Sequence, residues 1–386
     1  MDGYFRGAAL QLVERGRVLS ARIPRDLPRD YDTLAQVSRA RINQQIDHLR
    51  HLLNEPLFSQ QPYYPERLRL FKRIVAEMDI LETVAIAALD RAKQDDHKLN
   101  QLLERIASEI HYPLVTPVVT TLSQQYFHIY PELNLLCVPL TEGQFLLHLP
   151  DLYHELGHPL LTEQNDPLIE PLQQQMVQAI TEVIAYISQE QSKESRRRGP
   201  VQSRYLLKVW EVAWIKFWIT ELFCDIFAAS VVGPAFAWAH LHLAAKRGGN
   251  PFDVPMNRSS SHPADDARMR VILCTLARMG FGVEASTIGI RWNSFLSYVA
   301  LNPEPEYHRC FPEELLQQIV EHALKGIEAT NLRIAKKETS DPVHKLLNEA
   351  WSNFWDDPDN FVEWEKHAVT RLFNSPGITT VNTVRS

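Results

Sequence analysis

Residues 154–158 read His-Glu-Leu-Gly-His. Positions four apart share a helix face, so His154 and His158 can direct two imidazoles at one metal ion. Glu155 follows about 100° further round the helix, near enough to act on water at the metal without ligating it. Two neutral nitrogen ligands, an open coordination position and a carboxylate base are what a zinc hydrolase requires. The chain has 15 histidines, so this spacing alone does not establish a site. A third ligand has to come from elsewhere.

The segment TELFCDIFAA supplies a candidate. Glu221 and Asp225 stand four residues apart, on one face of a helix whose neighbours Leu222, Phe223, Ile226 and Phe227 are apolar. Buried carboxylates need a cationic partner. That partner is either an arginine or lysine in an ion pair, or a metal. In the metal case Glu221 is the third ligand, and Asp225, one turn on, holds a ligand histidine through its second nitrogen. Other donors fit less well. The metzincin pattern asks for glycine at 161 and histidine at 164, where the chain has Leu161 and Gln164. His240 and His242 are two apart and share no helix face. Cys224, adjacent to Asp225, is expected to point elsewhere as a buried thiol.

The surrounding pattern is mainly helical. Apolar residues from Leu34 to Leu53 recur at helical steps, so a helix is expected over about 32–54, with others over about 65–93 and 96–110. Asp95 or Asp96 is the expected N-cap of the last. Residues 1–30 are mixed and end in a proline-bearing stretch. At 111–122 prolines and β-branched residues take over, and 133–140 has the look of a short strand. At least two strands are expected here, leading through Thr141-Glu142-Gly143 into the His154 segment. Pro150 suits a first helical turn, and Pro159 should end or kink the helix at His158. Helices follow at about 167–193 and 203–230, separated by a charged loop at 192–200 whose arginine run reads as solvated. A break at 233–236, a helix to about 245, a loop at 247–266 and a helix over about 264–280 come next. The remainder is helical, with a polar tail.

Composition bounds the class. A chain of 386 residues, 45% hydrophobic and 23% charged, can bury a substantial core without staples. Its net charge of −7 argues against general nucleic-acid binding. The four cysteines are far apart, with no CxxC pair, and are expected to be reduced. The most apolar segment, 209–245, is broken by Glu211, Lys216, Glu221 and Asp225, which a lipid-facing helix would not carry. The N-terminus shows no apolar signal region. A soluble, cytoplasmic protein is expected.

HELGH at 154–158, ELFCD at 221–225 and SHPADDAR at 261–268 occur in the order and at about the spacing seen in gluzincin metallopeptidases. The chain resembles most closely the HtpX-like and CAAX-prenyl-endopeptidase-like branch, over roughly residues 110–280. The resemblance implies that His154, His158 and Glu221 bind zinc and that Glu155 is the general base. It places His262 and Arg268 near the active site, His262 as an oxyanion or substrate partner. It also implies that the stretch 132–140 pairs with extended substrate, although a plain structural strand accounts for it equally. The membrane helices of that branch are missing here, so a membrane substrate is not implied.

The expectation is a mainly α (α+β) chain: an N-terminal helical domain (1–108), a zinc metallopeptidase core of gluzincin type with a small sheet (109–285), and a C-terminal helical region (286–386). Its substrate would be a protein or peptide, cut by metal-activated water with Glu155 as base. The alternative is a helical interaction protein with a structural zinc site. Such a site normally closes its coordination with a fourth protein ligand, for which the sequence offers no convincing residue. The substrate and oligomeric state are not legible.

Overall fold

The structure, a computed structural model, describes residues 2–92, 96–123, 126–139, 145–162, 166–196, 201–247, 249–257, 260–299 and 301–374. The expectations placed on Asp95, on Thr141-Glu142-Gly143, on Arg197 and Arg198, and on the tail from 375 lie outside these residues. The chain divides into two compact units, residues 1–103 with 117–140, and residues 104–116 with 141–386. Among the described residues it is mainly helical, with one small mixed sheet.

The first unit contains α1 (Asp2–Arg22), α2 (Asp32–Asn54), α3 (Tyr64–Ile80), a π-turn over Leu81–Ile86 leading into α4 (Ala87–Asp90), and the start of α5 (Asp96–Glu109). The expected helices at 32–54 and 65–93 are α2 and the α3–α4 run. Helix α1 was not expected. Its buried stripe of Ala9, Val13 and Leu19 is narrow and is interrupted by Gly16, where an added Cβ would lie 2.9 Å from Ile46. Glycine there lets α1 approach α2 closely, at the expense of the apolar signal that periodicity detects. The unit's core joins Ile42, Leu49, Met78 and Leu89 to Val118 and Leu135 of the sheet.

The sheet has the order β1 (Val118–Thr120), β3 (Leu135–Cys137), β2 (His128–Tyr130). β1 runs parallel to β3 with Val119 opposite Leu136, and β2 runs antiparallel with Ile129 opposite Leu136. Three-residue strands leave an exposed edge to satisfy. Asn100 of α5 acts as a surrogate strand, accepting from Val119 N at 2.8 Å and donating to Val119 O at 2.9 Å. Asp96 accepts from the hydroxyls of Thr120 (2.8 Å) and Thr121 (2.7 Å).

The second unit holds α6 (Asp151–Thr162), α7 (Glu170–Arg196), α8 (Val201–Ala213), α9 (Ile219–Val232), α10 (Pro234–Arg247), α11 (Asp265–Arg278), α12 (Gly282–Val299), α13 (Pro305–Cys310), α14 (Glu313–Ala329), α15 (Pro342–Asp356) and α16 (Phe361–Asn374). Two expectations are corrected here. Of the two outcomes expected at Pro159, an end or a kink, the first is overturned: the helix runs on past His158 and Pro159 to Thr162. Proline removes one backbone donor, the one that would reach the carbonyl of Glu155, and the helix continues past that single gap, with side chains bonded to three neighbouring carbonyls. Tyr112 donates to Leu156 O at 2.9 Å, Thr162 to His158 O at 3.0 Å, and Gln173 to Leu160 O at 3.2 Å. The charged segment at 192–196, read as loop, is the last turn of α7, in which Lys193 pairs with Glu190 one turn back.

The expected single helix at 203–230 is α8 and α9 fused through a π-turn at Trp214–Trp218, whose Ile219 N–H donates to Trp214 O five residues back. Gly233 ends α9 at φ 74°, a conformation that side-chain-bearing residues avoid, and Pro234 starts α10. Helices α6 and α9 meet where a Cβ on Gly157 would lie 3.0 Å from Cys224 Cα and Sγ. All four cysteines are free thiols. No helix among the described residues is long and apolar enough to cross a membrane.

Candidate metal centre

The close approach at Gly157 sets the α6–α9 seam and, with it, the centre. His154, Glu155 and Gly157 of α6 are buried, and His158 is half-buried. The two imidazoles stand edge to face with centroids 5.2 Å apart. Across the seam α9 presents Glu221 and the fully buried Asp225. Glu221 Oε2 lies 3.3 Å from His154 Nε2, and Oε1 lies 3.9 Å from His158 Nε2. His262, from the loop ahead of α11, brings its Nε2 to 3.7 Å from Glu221 Oε2. Three imidazole nitrogens thus converge on one carboxylate.

Asp225 serves two partners. Arg268 of α11 forks onto it, Nε to Oδ2 at 2.7 Å and Nη2 to Oδ1 at 2.6 Å, a bidentate and wholly buried pair. Its Oδ1 also lies 2.9 Å from His154 Nδ1, at a distance where attraction is strong although the ring N–H is not aimed along a hydrogen bond. The ion-pair reading therefore holds for Asp225. Asp225 has its arginine, and Glu221 forms its ion pairs among the described residues with His154, His158 and His262. Phe236 of α10 stacks on His154, centroids 6.1 Å apart and 15° from parallel.

The electrostatics follow from this layout. Burial opposes the charge on His154, but the carboxylates of Asp225 and Glu221 outweigh it and raise the imidazole to about 10. Burial pushes Glu221 up, and His154, with His158 and His262, overrides it, lowering the carboxyl to about 2. Burial likewise pushes Asp225 up, yet the Arg268 guanidinium and His154 hold it well below the ordinary carboxylate range. Zinc ligation needs a neutral imidazole, so a divalent cation would displace the His154 proton and take over its pairing with Glu221.

The residues fit such a cation. Glu221 Oε2 is buried with no hydrogen-bond partner of proper geometry, an orphaned acceptor of a kind that native interiors rarely leave. The donor set of two imidazoles and a carboxylate suits zinc. A second set is also at hand. Cys224 Sγ lies within 4.8 Å of ring nitrogens of both His154 and His158. This corrects the expectation that the cysteine points elsewhere, because the seam at Gly157 is so close that α9 brings the thiol alongside. Burial, with Glu221, Asp225 and Glu155 nearby, raises that thiol well above its ordinary range. The sulfur fills the helix seam as a neutral thiol, whereas Glu221 is already ionised and aimed at the histidines.

His240 and His242 are ordinary packing residues. His240 Nε2 is bonded to Asp265 O at 3.0 Å, and His242 stands edge-on to Trp351 at 5.7 Å. Periodicity gave no sign of Tyr112 or Phe236, which support α6 and His154. For Trp218, which supports the His262 loop, the sequence did contain a signal: it stands three residues before Glu221 and hence on its face. No protein-family model, curated protein or solved structure matches the chain.

Proposed function

We propose that the chain is a zinc-dependent endopeptidase of gluzincin type, acting in the cytoplasm on protein or peptide substrates. The observation that carries this reading is the orphaned Glu221 carboxylate oxygen facing His154 and His262, with His158 at its other oxygen. His154, His158 and Glu221 would hold the ion. When bound, zinc supplies Lewis acidity and a water acidic enough to ionise near neutral pH. Glu155, one residue from His154 and buried beside the seam, takes the proton from the attacking water and returns it to the leaving amine. His262, half-exposed at the rim of the centre, donates to the oxyanion as the carbonyl becomes tetrahedral. Asp225 holds His154 in place, and the buried Arg268 neutralises Asp225.

A second reading has its own observation. His262 approaches Glu221 as closely as His158 does, so it could close the coordination as a fourth ligand in a non-catalytic zinc site. Labelling of new protein N-termini in cells distinguishes the two. Wild type should generate cleavage products that Glu155→Gln does not, with turnover down by about 10²-fold or more. Identical product sets from both would remove the peptidase reading.

A further inference from the structure

The helix that presents Glu221 also holds the loop that delivers His262. Trp210, Trp214 and Trp218 are fully buried at four-residue steps. A buried indole needs an acceptor for its N–H, and each finds a carbonyl outside the helix. Trp210 Nε1 donates to Pro255 O at 3.3 Å, Trp214 to Cys310 O at 3.2 Å, and Trp218 to Ser260 O at 3.1 Å. Tyr205 adds a bond from its hydroxyl to Asn257 O at 3.1 Å. Three of the four acceptors lie in the segment between α10 and α11 that carries His262.

The bond nearest the centre is that of Trp218. Three residues before Glu221, it shares that residue's helix face. It also closes the π-turn, a feature that shifts the facing of every side chain after it and recurs at functional sites. Ser260 Oγ accepts from Trp218 Nε1 at 3.3 Å and donates to His262 O at 2.5 Å. Ser261 Oγ stands 2.9 Å from His262 Nδ1, and Pro263 restricts the backbone of His262 to extended geometry. The His262 side chain is 56% exposed, so packing alone does not fix it.

We propose that Trp218 is a positioning residue of the centre: its indole N–H, acting through Ser260, sets the placement of His262 against Glu221. The inference rests on His262 belonging to the centre, whether that centre turns over peptides or only holds an ion. A tryptophan present only to fill volume would tolerate loss of its N–H, and a tethering one would not.

The test uses the full chain stripped with a chelator and labelled with ¹³C-histidine, in Trp218→Phe and Ser260→Ala. The His262 ring signal, identified by its loss in His262→Ala, should shift and broaden in both variants while those of His154 and His158 stay in place. Amides of residues 260–262 and 264 should exchange about 5- to 10-fold faster, the loss of roughly one hydrogen bond, with those of 219–232 unchanged. A His262 signal that stays in place in both variants overturns the proposal. So does faster exchange throughout 201–232 in Trp218→Phe with no change in Ser260→Ala, because the tryptophan then acts through packing. Ser260→Ala leaves the core untouched and decides the matter if Trp218→Phe folds poorly. No turnover is measured, so failure here is distinct from failure of the peptidase reading.

Discussion

Glu221 Oε2 lies 3.3 Å from His154 Nε2, although the two residues come from different helices far apart in the chain. The separation is set by Gly157, which lets the backbone of α6 rest on Cys224 of α9. Metal-ligand geometry tolerates errors of only a few tenths of an ångström, so the seam would be as much part of the proposed metal centre as its ligands.

Gly157→Ala should therefore behave against helix propensity. In a free helix alanine is favoured over glycine by about 1 kcal/mol. Here its methyl would meet Cys224 Cα at 3.0 Å, and backbone cannot swing aside as a side chain can. Overpacking usually costs about 1–3 kcal/mol, and against backbone the upper part of that range applies. After the gain of about 1 kcal/mol in propensity, thermal unfolding should show a net loss of about 1–2 kcal/mol. An unchanged or raised midpoint would show that the seam has slack.

The Asp225–Arg268 pair should dominate the response to acid. The folded carboxyl is depressed by Arg268 and His154 against the cost of burial. A depressed carboxyl contributes stability that is complete above the unfolded pKa of about 4 and is lost as pH falls towards the folded value. Asp225→Asn leaves a buried guanidinium without its counter-charge and should cost about 3–5 kcal/mol at neutral pH. The gap between wild type and variant should narrow below about pH 4. A gap in urea midpoints that is constant from pH 7 to pH 3 would refute this assignment.

Much of this was legible in the sequence for a simple reason. Helical spacing fixes which side chains share a face, so the pairs His154 with His158 and Glu221 with Asp225 could be read without coordinates. The mainly helical class followed from the same periodicities, and the small sheet from the prolines and β-branched residues at 111–122 and the short run at 133–140. What stayed hidden depends on contacts between distant segments. The α1 stripe lost its signal at Gly16. The π-turn at Trp214–Trp218 changes facing without changing composition. Pro159 reads as a helix end or kink, yet α6 runs on to Thr162 along its seam with α9. Cys224 comes beside the histidines only because α6 and α9 nearly touch, and no one-dimensional pattern encodes that approach.

His262→Ala separates an open from a closed centre. If His262 only assists the oxyanion, zinc content and thermal midpoint should be kept, KM should change little, and kcat should drop about 10- to 10³-fold. Loss of zinc together with the imidazole would make His262 a ligand and favour the closed, non-catalytic reading.

The central claim is that His154, His158 and Glu221 hold a metal ion, and zinc content per chain tests it most directly. Elemental mass spectrometry of the purified chain should find about one zinc in wild type, Glu155→Gln and Cys224→Ser, and none in His154→Ala or Glu221→Ala. Zinc retained in Glu221→Ala and lost in Cys224→Ser would contradict the account and move the third ligand to the thiol.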